Sequence, residues 1–500
     1  MSEATAAGGS GQLPPADRPY DAGPAIDAAV RDAALRRAVF DATMLKDVTR
    51  KECFASDFGA RYAALRRLGG LIRQHTLDHL DAYLEQFVDR AEAAGAEVHF
   101  AADAGAANAI CLDIARRHGC TRCVKTKSMV TEETHLLTAL ESAGIETVAT
   151  DLGEFIIQLD HDRPSHIVTP MIHKDRAAVG RAFRRELGVE YTDDPEALTR
   201  IAREHLREKF RRADLGVTGA NFLLAETGSV VLCTNEGNGR FCTTRPRVQV
   251  VLAGIEKVVP TWRDLAVMLK LLARSSTAQA MTIYTQLITG PRRGHEHDGP
   301  EQVHVILVDN GRSSILRPGT RELLRCIRCG ACLNACPVYR QIGGHAYGAT
   351  YCGPIGALIS PLLVGLAHYR DLPQLSSLCG ACYEACPVAI DIPRHLIALR
   401  AAGVDRWLAG WPERMVFGLW TLVYRYPRLY RLAGWVQRRA TRLIAWVCGN
   451  LDRGGRLTAR GWLRWAPGPV GGWTRCRDLP TPPAGSFRGW WRRRDRGDDA

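Results

Sequence analysis

Cys326-Ile-Arg-Cys329-Gly-Ala-Cys332-Leu-Asn-Ala-Cys336-Pro337 is followed, 42 residues later, by Cys379-Gly-Ala-Cys382-Tyr-Glu-Ala-Cys386-Pro387. The first run has the C-x2-C-x2-C-x3-C-P rhythm of bacterial iron–sulfur ligation, in which the last cysteine of each run serves the other run's cluster. Three thiolates at intervals of three wrap one face of a cubane. The fourth, held at the turn before a proline, comes in from the other run. Zinc accepts paired C-x2-C but has no use for a third and fourth cysteine in this rhythm. The two runs therefore predict two iron–sulfur clusters in a domain built around their own short turns.

The second run is incomplete, because Ser376 stands three residues before Cys379 where a full copy would have cysteine. Crossed ligation yields one complete set, Cys326, Cys329, Cys332 and Cys386, which suits a [4Fe–4S] centre. The other set has three thiolates, Cys336, Cys379 and Cys382. It fits a [3Fe–4S] centre, or a [4Fe–4S] centre with Ser376, water or a partner's side chain on the fourth iron. Cys352 is a remote candidate for that corner. It reads better as a small apolar residue beside Gly353-Pro354, since free cysteine is usually a buried hydrophobe.

A 500-residue chain that is 46% hydrophobic and 24% charged reads as globular, with roughly three domains' worth of length. Residues 1–24 are rich in Ala, Gly, Pro and Ser, without a basic start and apolar run, and read as a disordered leader. No stretch offers about 20 uninterrupted apolar residues for a membrane span. Clusters of this kind need reduced thiols, which points to the cytoplasm, with membrane association as an additional reading. Charge is concentrated at one end. Residues 401–500 contain 19 arginines, no lysine and seven acidic residues, so they carry 12 of the 13 net positive charges. Ten of the eleven tryptophans also fall there.

Residues 25–90 read as an N-terminal helical segment. Leu77, Leu80, Leu84, Phe87 and Ala91 recur at helical steps, and Gly95 sits where a helix would stop. Residues 91–312 read as an α/β domain. Val98 to Ala101, Glu146 to Ala149, Ile156 to Leu159, His166 to Thr169 and Val303 to Val308 are predicted strands, with a helix over Thr131 to Gly144. Residues 318–400 hold the cysteine runs. The long spacer favours an all-α ferredoxin-type domain over a compact β-type one. Residues 401–500 form a basic Arg/Trp-rich C-terminal region.

Polar residues beside glycines mark candidate ligand loops in the α/β part. They are Lys125-Thr-Lys127-Ser128 with Glu132 and Glu133, Asp151-Leu-Gly-Glu154, Gly219-Ala-Asn221 to Glu226-Thr-Gly228, Thr234-Asn-Glu-Gly-Asn238-Gly-Arg240, and Glu256-Lys257. From these, Lys125, Asn221, Glu226, Asn238 and Arg240 are the candidate pocket residues, with cations suited to a carboxylate or phosphate. The plain alternative is tight turns between strands. No G-x-G-x-x-G or P-loop is present. His295-Glu-His297 lacks a third metal ligand at a useful spacing and reads as a solvated loop. Cys111, Cys120, Cys123, Cys233 and Cys242 read as packing thiols.

These stretches resemble one known family. Lys125-Thr-Lys-Ser-Met-Val-Thr-Glu-Glu133, Asp151 to Gln158, Pro164-Ser-His-Ile167, Ala225-Glu-Thr-Gly228, Asn235 to Asn238, Gly254-Ile-Glu-Lys257, Asp309-Asn-Gly-Arg312, Gly343 to Gly348, Gly353 to Gly356 and both cysteine runs are similar to lactate utilization protein B. That is the iron–sulfur subunit of a three-part bacterial L-lactate oxidising system, and the resemblance covers about residues 30–440. It implies an α/β domain similar to sugar-phosphate isomerase and CoA-transferase folds, and a second cysteine run that is incomplete throughout the family. It also implies two partner subunits, one cysteine-rich and one a smaller relative of the α/β domain. The Arg/Trp-rich stretch after about residue 440 is longer and more basic than the resemblance implies, and the family offers it no role.

Two functional readings follow. The chain is an electron-transfer subunit passing electrons from L-lactate oxidation through two clusters to an acceptor. Alternatively, it is an enzyme whose α/β domain itself binds and oxidises a 2-hydroxy acid, with accessory clusters. No flavin motif is present, which leaves the place of the hydride or carbanion chemistry open, a partner included. In the tail, Trp407, Trp411, Trp420, Trp435 and Trp446 interleave with Arg414, Arg425, Arg428, Arg431, Arg438 and Arg439. This suits an interfacial helix on anionic lipid or, equally, a partner-binding or core-packing segment. Nothing else in the chain supports nucleic-acid binding.

Overall fold

Val248-Gln-Val-Val-Leu-Ala-Gly254 buries all seven residues, as a central strand of a parallel sheet covered on both faces must. The computed structural model describes residues 18–408, 410–448, 462–463, 471, 474, 477–480 and 486–495. They fall into two compact units, Met1–Leu408 and Ala409–Ala500.

In the first unit, ten strands form two sheets. They are β1 (Glu97–Ala101), β2 (Arg122–Lys125), β3 (Glu146–Ala149), β4 (Leu215–Thr218), β5 (Phe222–Leu224), β6 (Ser229–Thr234), β7 (Val248–Gly254), β8 (Val258–Val259), β9 (Tyr284–Ile288) and β10 (Gln302–Val308). The six-stranded sheet has the order β1-β10-β7-β4-β2-β3, and every pairing is parallel. The second sheet, β8-β5-β6-β9, is built on the antiparallel β5–β6 hairpin. This layered α/β body is followed by the helical region of the cysteine runs.

Four N-terminal helices, α1 (Gly23–Arg31), α2 (Ala33–Phe58), α3 (Arg61–Asp78) and α4 (Leu80–Ala93), precede the sheet. The helical period read from Leu77 to Ala91 is interrupted at His79, between α3 and α4, and Gly95 takes the left-handed conformation (φ 93°) that ends α4. α2 packs on the short helices Ala331–Ala335 and Tyr339–Ile342 of the cysteine region. The largest apolar core accordingly contains residues of α2 and α3, the Trp262–Thr277 helix and the cysteine region. Residues 1–17 of the predicted leader lie outside the described residues. Residues 18–24 are ordered: the Tyr20 amide donates to the His368 carbonyl (2.8 Å), its hydroxyl to that of Ala346 (3.1 Å), and its ring meets Tyr369 edge-on.

Three local predictions are corrected. Ile156 to Leu159 is helical, part of Leu152–Leu159, because the Asp151 side chain caps that helix by accepting from the Glu154 amide (3.2 Å). A short apolar run of this kind has no period of its own to choose strand over helix. His166 to Thr169 forms no strand. His166 Nδ1 accepts from the amides of Val168 (2.9 Å) and Thr169 (3.2 Å), replacing ladder bonds with local ones. The helix predicted over Thr131 to Gly144 is two, Met129–Glu133 and Leu136–Ser142, separated at His135 in the left-handed region (φ 55°).

In the second unit, the helices Trp411–Arg425 and Pro427–Cys448 lead to a two-residue antiparallel pairing of β11 (Trp462–Leu463) with β12 (Leu479–Pro480), then a helix Phe487–Asp495. The Trp411–Arg425 helix buries none of its residues. Among the described residues, no helix is long and apolar enough to cross a membrane.

Candidate functional site

The two cysteine runs repeat one backbone shape. Arg328 (φ 58°) and Gly330 (φ 76°) flank Cys329 in the left-handed region, as Leu378 (φ 56°) and Gly380 (φ 85°) flank Cys379. A five-residue helix follows each glycine, Ala331–Ala335 or Ala381–Ala385, and ends on Cys336 or Cys386 in extended conformation. A non-glycine residue at positive φ is strained, and such residues concentrate at functional sites. The two short helices pack on each other. Cys336 Sγ accepts from the Tyr339 amide (3.5 Å) and Cys386 Sγ from that of Ile390 (3.4 Å), contacts that favour thiolate.

All seven thiols are free, and all but Cys326 and Cys379 are buried. Burial pushes Cys329 up to about 12, with the charges of Cys326 and Cys386 adding to it. Burial likewise raises Cys332, then Cys326, Cys329 and Cys386, with Cys382 the weakest neighbour. Cys386, at about 11, is raised by burial first and then by Cys326. Cys382 is pushed up to about 12 by burial, then by Cys336 and Cys379, and burial and Cys379 raise Cys336. The neighbours thus sort into two groups that cross between the runs. Buried thiols this reluctant to ionise are deprotonated by a bound metal, and the donor set fits iron–sulfur clusters.

The remaining positions surround this set. Ser376 Oγ accepts from the Leu378 amide (3.1 Å), and its carbonyl accepts from Arg400 (3.1 Å). Cys352 is buried, with Sγ 3.6 Å from the Ser165 carbonyl. Arg66 Nε on α3 donates to the Cys386 carbonyl (2.7 Å). α3 approaches this turn at Gly70, where a Cβ would lie 2.9 Å from the Val388 carbonyl oxygen.

Buried cations line the other side of the first run. Arg73 donates to the carbonyls of Glu256, Val258 (2.6 Å) and Leu324 (3.0 Å). Arg312 pairs with Glu256 (2.7 Å) and with both oxygens of Glu133 (2.8 Å), which also accepts from the Tyr351 hydroxyl (2.5 Å). Arg328 lies over the Tyr351 ring (4.2 Å), with Nη2 3.8 Å from Glu256 Oε1. Burial lowers Lys257 to about 8. Arg328 and Arg73 push the same way, against Glu256 and Cys326.

A cavity of about 470 Å³ adjoins this network. It lies at the carboxyl ends of β2, β3, β4 and β7, where open parallel sheets bind ligands. Lys127, Asp151, Asn221 and Glu236 line the sheet side, and Lys257, Arg328 and Tyr351 the side of the first cysteine run. Burial lowers the Lys127 pKa, but Asp151 (3.1 Å from Nζ), Glu154 and Glu236 together raise it above the ordinary value.

Of the predicted pocket residues, Asn221 and Asn238 line this cavity, whereas Lys125, Glu226 and Arg240 do not. The buried Lys125 ammonium is held between Glu132 and Glu154, each at 3.0 Å. Glu226 is exposed and accepts from the Trp262 amide (2.8 Å) at the start of a helix. Arg240 is exposed on the helix Asn238–Thr244. Lys127 and Lys257 lie within the polar stretches of the sequence but are not among the candidate pocket residues that residue type singles out. Arg328 was hidden inside the cysteine run, where a basic residue between two ligands was the available signal. His295 and His297 are exposed, with Glu296 accepting from the Arg293 amide (2.6 Å). Cys111, Cys120, Cys123 and Cys242 are buried and Cys233 half-buried.

Family models match three successive stretches: a LUD domain over residues 84–308, a 4Fe-4S dicluster domain over 322–390, and the C-terminal region of lactate utilisation protein B over 407–496. Lactate utilization protein B of Oceanobacillus iheyensis is 44% identical over 437 residues, covering 87% of this chain and 88% of that protein. The chain belongs to the lactate utilization protein B family. A second member, from Bacillus licheniformis, is 44% identical over 438 residues, 87% of this chain and 89% of its own. The uncharacterized electron transport protein YkgF of Escherichia coli is 40% identical over 464 residues, 93% of this chain and 94% of its own. The C-terminal match corrects one reading: the Arg/Trp-rich region belongs to the family's pattern and is no departure from it.

Proposed function

We propose that this chain is the iron–sulfur electron-transfer subunit of a complex that oxidises L-lactate to pyruvate. Cys326, Cys329, Cys332 and Cys386 hold one cluster, a [4Fe–4S] centre, and Cys336, Cys379 and Cys382 hold the second, [4Fe–4S] or [3Fe–4S]. The observation that carries this reading is the repeated backbone of the two cysteine runs, each with left-handed residues flanking Cys329 or Cys379 and a short helix ending on Cys336 or Cys386, the two helices packed on each other. Lactate oxidation releases two electrons and two protons, and the clusters supply a route on which those electrons move singly to a downstream acceptor. The protein's residues exclude water from the thiols, orient them through the Tyr339 and Ile390 amides, and surround Cys326 with Arg73, Lys257 and Arg328. The partners are a cysteine-rich subunit and a smaller α/β subunit.

The test is a pair of variants in the anaerobically purified full chain, with iron and sulfide counted and EPR recorded. Cys386→Ala should remove the cluster of the first run, and Cys336→Ala that of the second. If each variant instead abolishes the signal of its own run's cluster, crossed ligation is wrong.

A second reading concerns the C-terminal unit: a peripheral contact with anionic lipid. Trp411 is 72% and Trp420 54% exposed on a helix that buries nothing. Arginines flank these apolar residues, as in interfacial helices. Sedimentation with phosphatidylserine vesicles should show salt-sensitive binding that is lost when residues 410–500 are deleted. Equal sedimentation of both forms removes the membrane reading.

A further inference from the structure

Several polar atoms left without partners inside this protein meet at one place. Arg328 Nη1, Thr126 Oγ1 and Thr169 Oγ1 are all buried without a hydrogen-bond partner, and all three residues line the 470 Å³ cavity. The Arg328 side chain is only 8% exposed. Lys257 lines the same wall and makes no hydrogen bond or ion pair among the described residues. A buried donor without an acceptor is unfavourable, more so when charged, so this wall suits something that accepts. Of the acidic neighbours, Glu256 is committed to Arg312, and Asp151 to Lys127 across the cavity. Among the described residues, Arg328 keeps only a 3.8 Å contact to Glu256 Oε1, with Nη1 unpartnered, and Lys257 Nζ is paired with no carboxylate, so the wall carries two cations and no hydrogen-bonded anion.

We propose that this cavity binds a small organic carboxylate of the 2-hydroxy or 2-oxo acid class, with its carboxylate bridging Arg328 Nη1 and Lys257 Nζ. Arg328 Nη2 leans toward Glu256, which leaves one guanidinium edge for the ligand and makes the ammonium of Lys257 the second point of contact. The hydroxyls of Thr126 and Thr169 and the amide of Asn221 offer donors and acceptors for the 2-oxygen. The choice of acid rests on the function proposed above, whereas the anion site rests on the cavity alone.

Arg328 sits between Cys326 and Cys329, so a ligand on its guanidinium is felt by the cluster those thiols hold. A bound anion there makes adding an electron harder. By reciprocity, the acid binds more tightly to the oxidised than to the reduced protein. A ratio of about fivefold is the low end of such coupling. For a one-electron centre it corresponds to a fall in reduction potential of about 40 mV.

The experiment uses the anaerobic full-length protein with both clusters loaded. Binding of L-lactate and pyruvate is measured by equilibrium dialysis, before and after reduction with dithionite, with sulfate as a control anion. EPR-monitored redox titration is run with and without the acid. At least one acid should bind, at least fivefold tighter to the oxidised form, and should lower one cluster's potential. Arg328→Gln and Lys257→Met should each weaken binding tenfold or more with iron content unchanged. If Arg328→Gln shifts the potential but both variants bind like the parent, Arg328 only compensates cluster charge and the site is overturned. Equal affinity of both redox states overturns the coupling, and sulfate binding as well as the acids overturns the ligand class. Dialysis does not depend on lactate turnover, so failure of the electron-transfer reading leaves a different result.

Discussion

Arg312→Met removes the one cation that joins two buried carboxylates. Arg312 is 1% exposed, Glu133 8% and Glu256 1%, with contacts of 2.7–2.8 Å. Methionine fills much of the space but leaves both carboxylates short of compensation. Breaking a buried pair in this way costs about 3–5 kcal/mol. With an unfolding entropy of roughly 2 cal/mol/K per residue, the 408-residue unit loses about 0.8 kcal/mol per degree, so Tm should fall by about 5 °C. The pH dependence sharpens the test. Burial alone would raise Glu256, but Arg312, then Lys257 and Arg328, hold it down at about 2, against 4.5 for a free glutamate. Its contribution is therefore complete above about pH 4.5 and is lost as pH falls toward 2. In the variant that contribution is already gone, so the gap in Tm should narrow on acidification through this window. Calorimetry at pH 7 and pH 3.5 measures both. A gap below 1 °C at pH 7, or one that widens at pH 3.5, would refute the reasoning.

Gly70→Ala should destabilise the first unit by about 1–3 kcal/mol, because backbone and not a flexible side chain stands 2.9 Å from the new Cβ. Chemical unfolding checks the size, and iron content should fall through the displaced Cys386 turn. Ser376→Cys should complete the second ligand set: if the parent's second cluster is [3Fe–4S], its oxidised-state EPR signal should disappear and total iron rise by about one atom per chain, and if it is [4Fe–4S], the iron count should stay unchanged. Lys125→Met should destabilise by about 3–5 kcal/mol by stranding Glu154 and Glu132, without weakening acid binding in the cavity, which Lys125 does not reach.

The two cysteine runs are legible because their signal is local: the spacing alone predicts short turns, and both runs take the same backbone shape. The edge and neighbouring strands β1, β3 and β10 were equally readable, each an apolar run between turn residues. The cavity was not. Which polar side chain points into it depends on contacts far apart in sequence. Lys125 is taken up by Glu154, 29 residues away, and the wall pairs Lys257 with Arg328, 71 positions later. Residue type selected Glu226 and Arg240, but nothing local to either told that one would cap a helix and the other face solvent. His135 broke a helix that its neighbours' periodicity favoured.

The bond from Arg66 to the Cys386 carbonyl spans 320 residues of chain. At synthesis rates of about 5–20 residues per second, α3 emerges roughly 15–65 s before the turn it will close upon. Cys326, Cys329 and Cys332 follow only in the last 60 residues of that interval, and on the proposed ligand set they then wait for Cys386 as their fourth thiolate. With Cys386 as the proposed fourth ligand, assembly of the first cluster is timed by the ribosome: it is completed only when more than three quarters of the chain has been made, and the first helices wait for it.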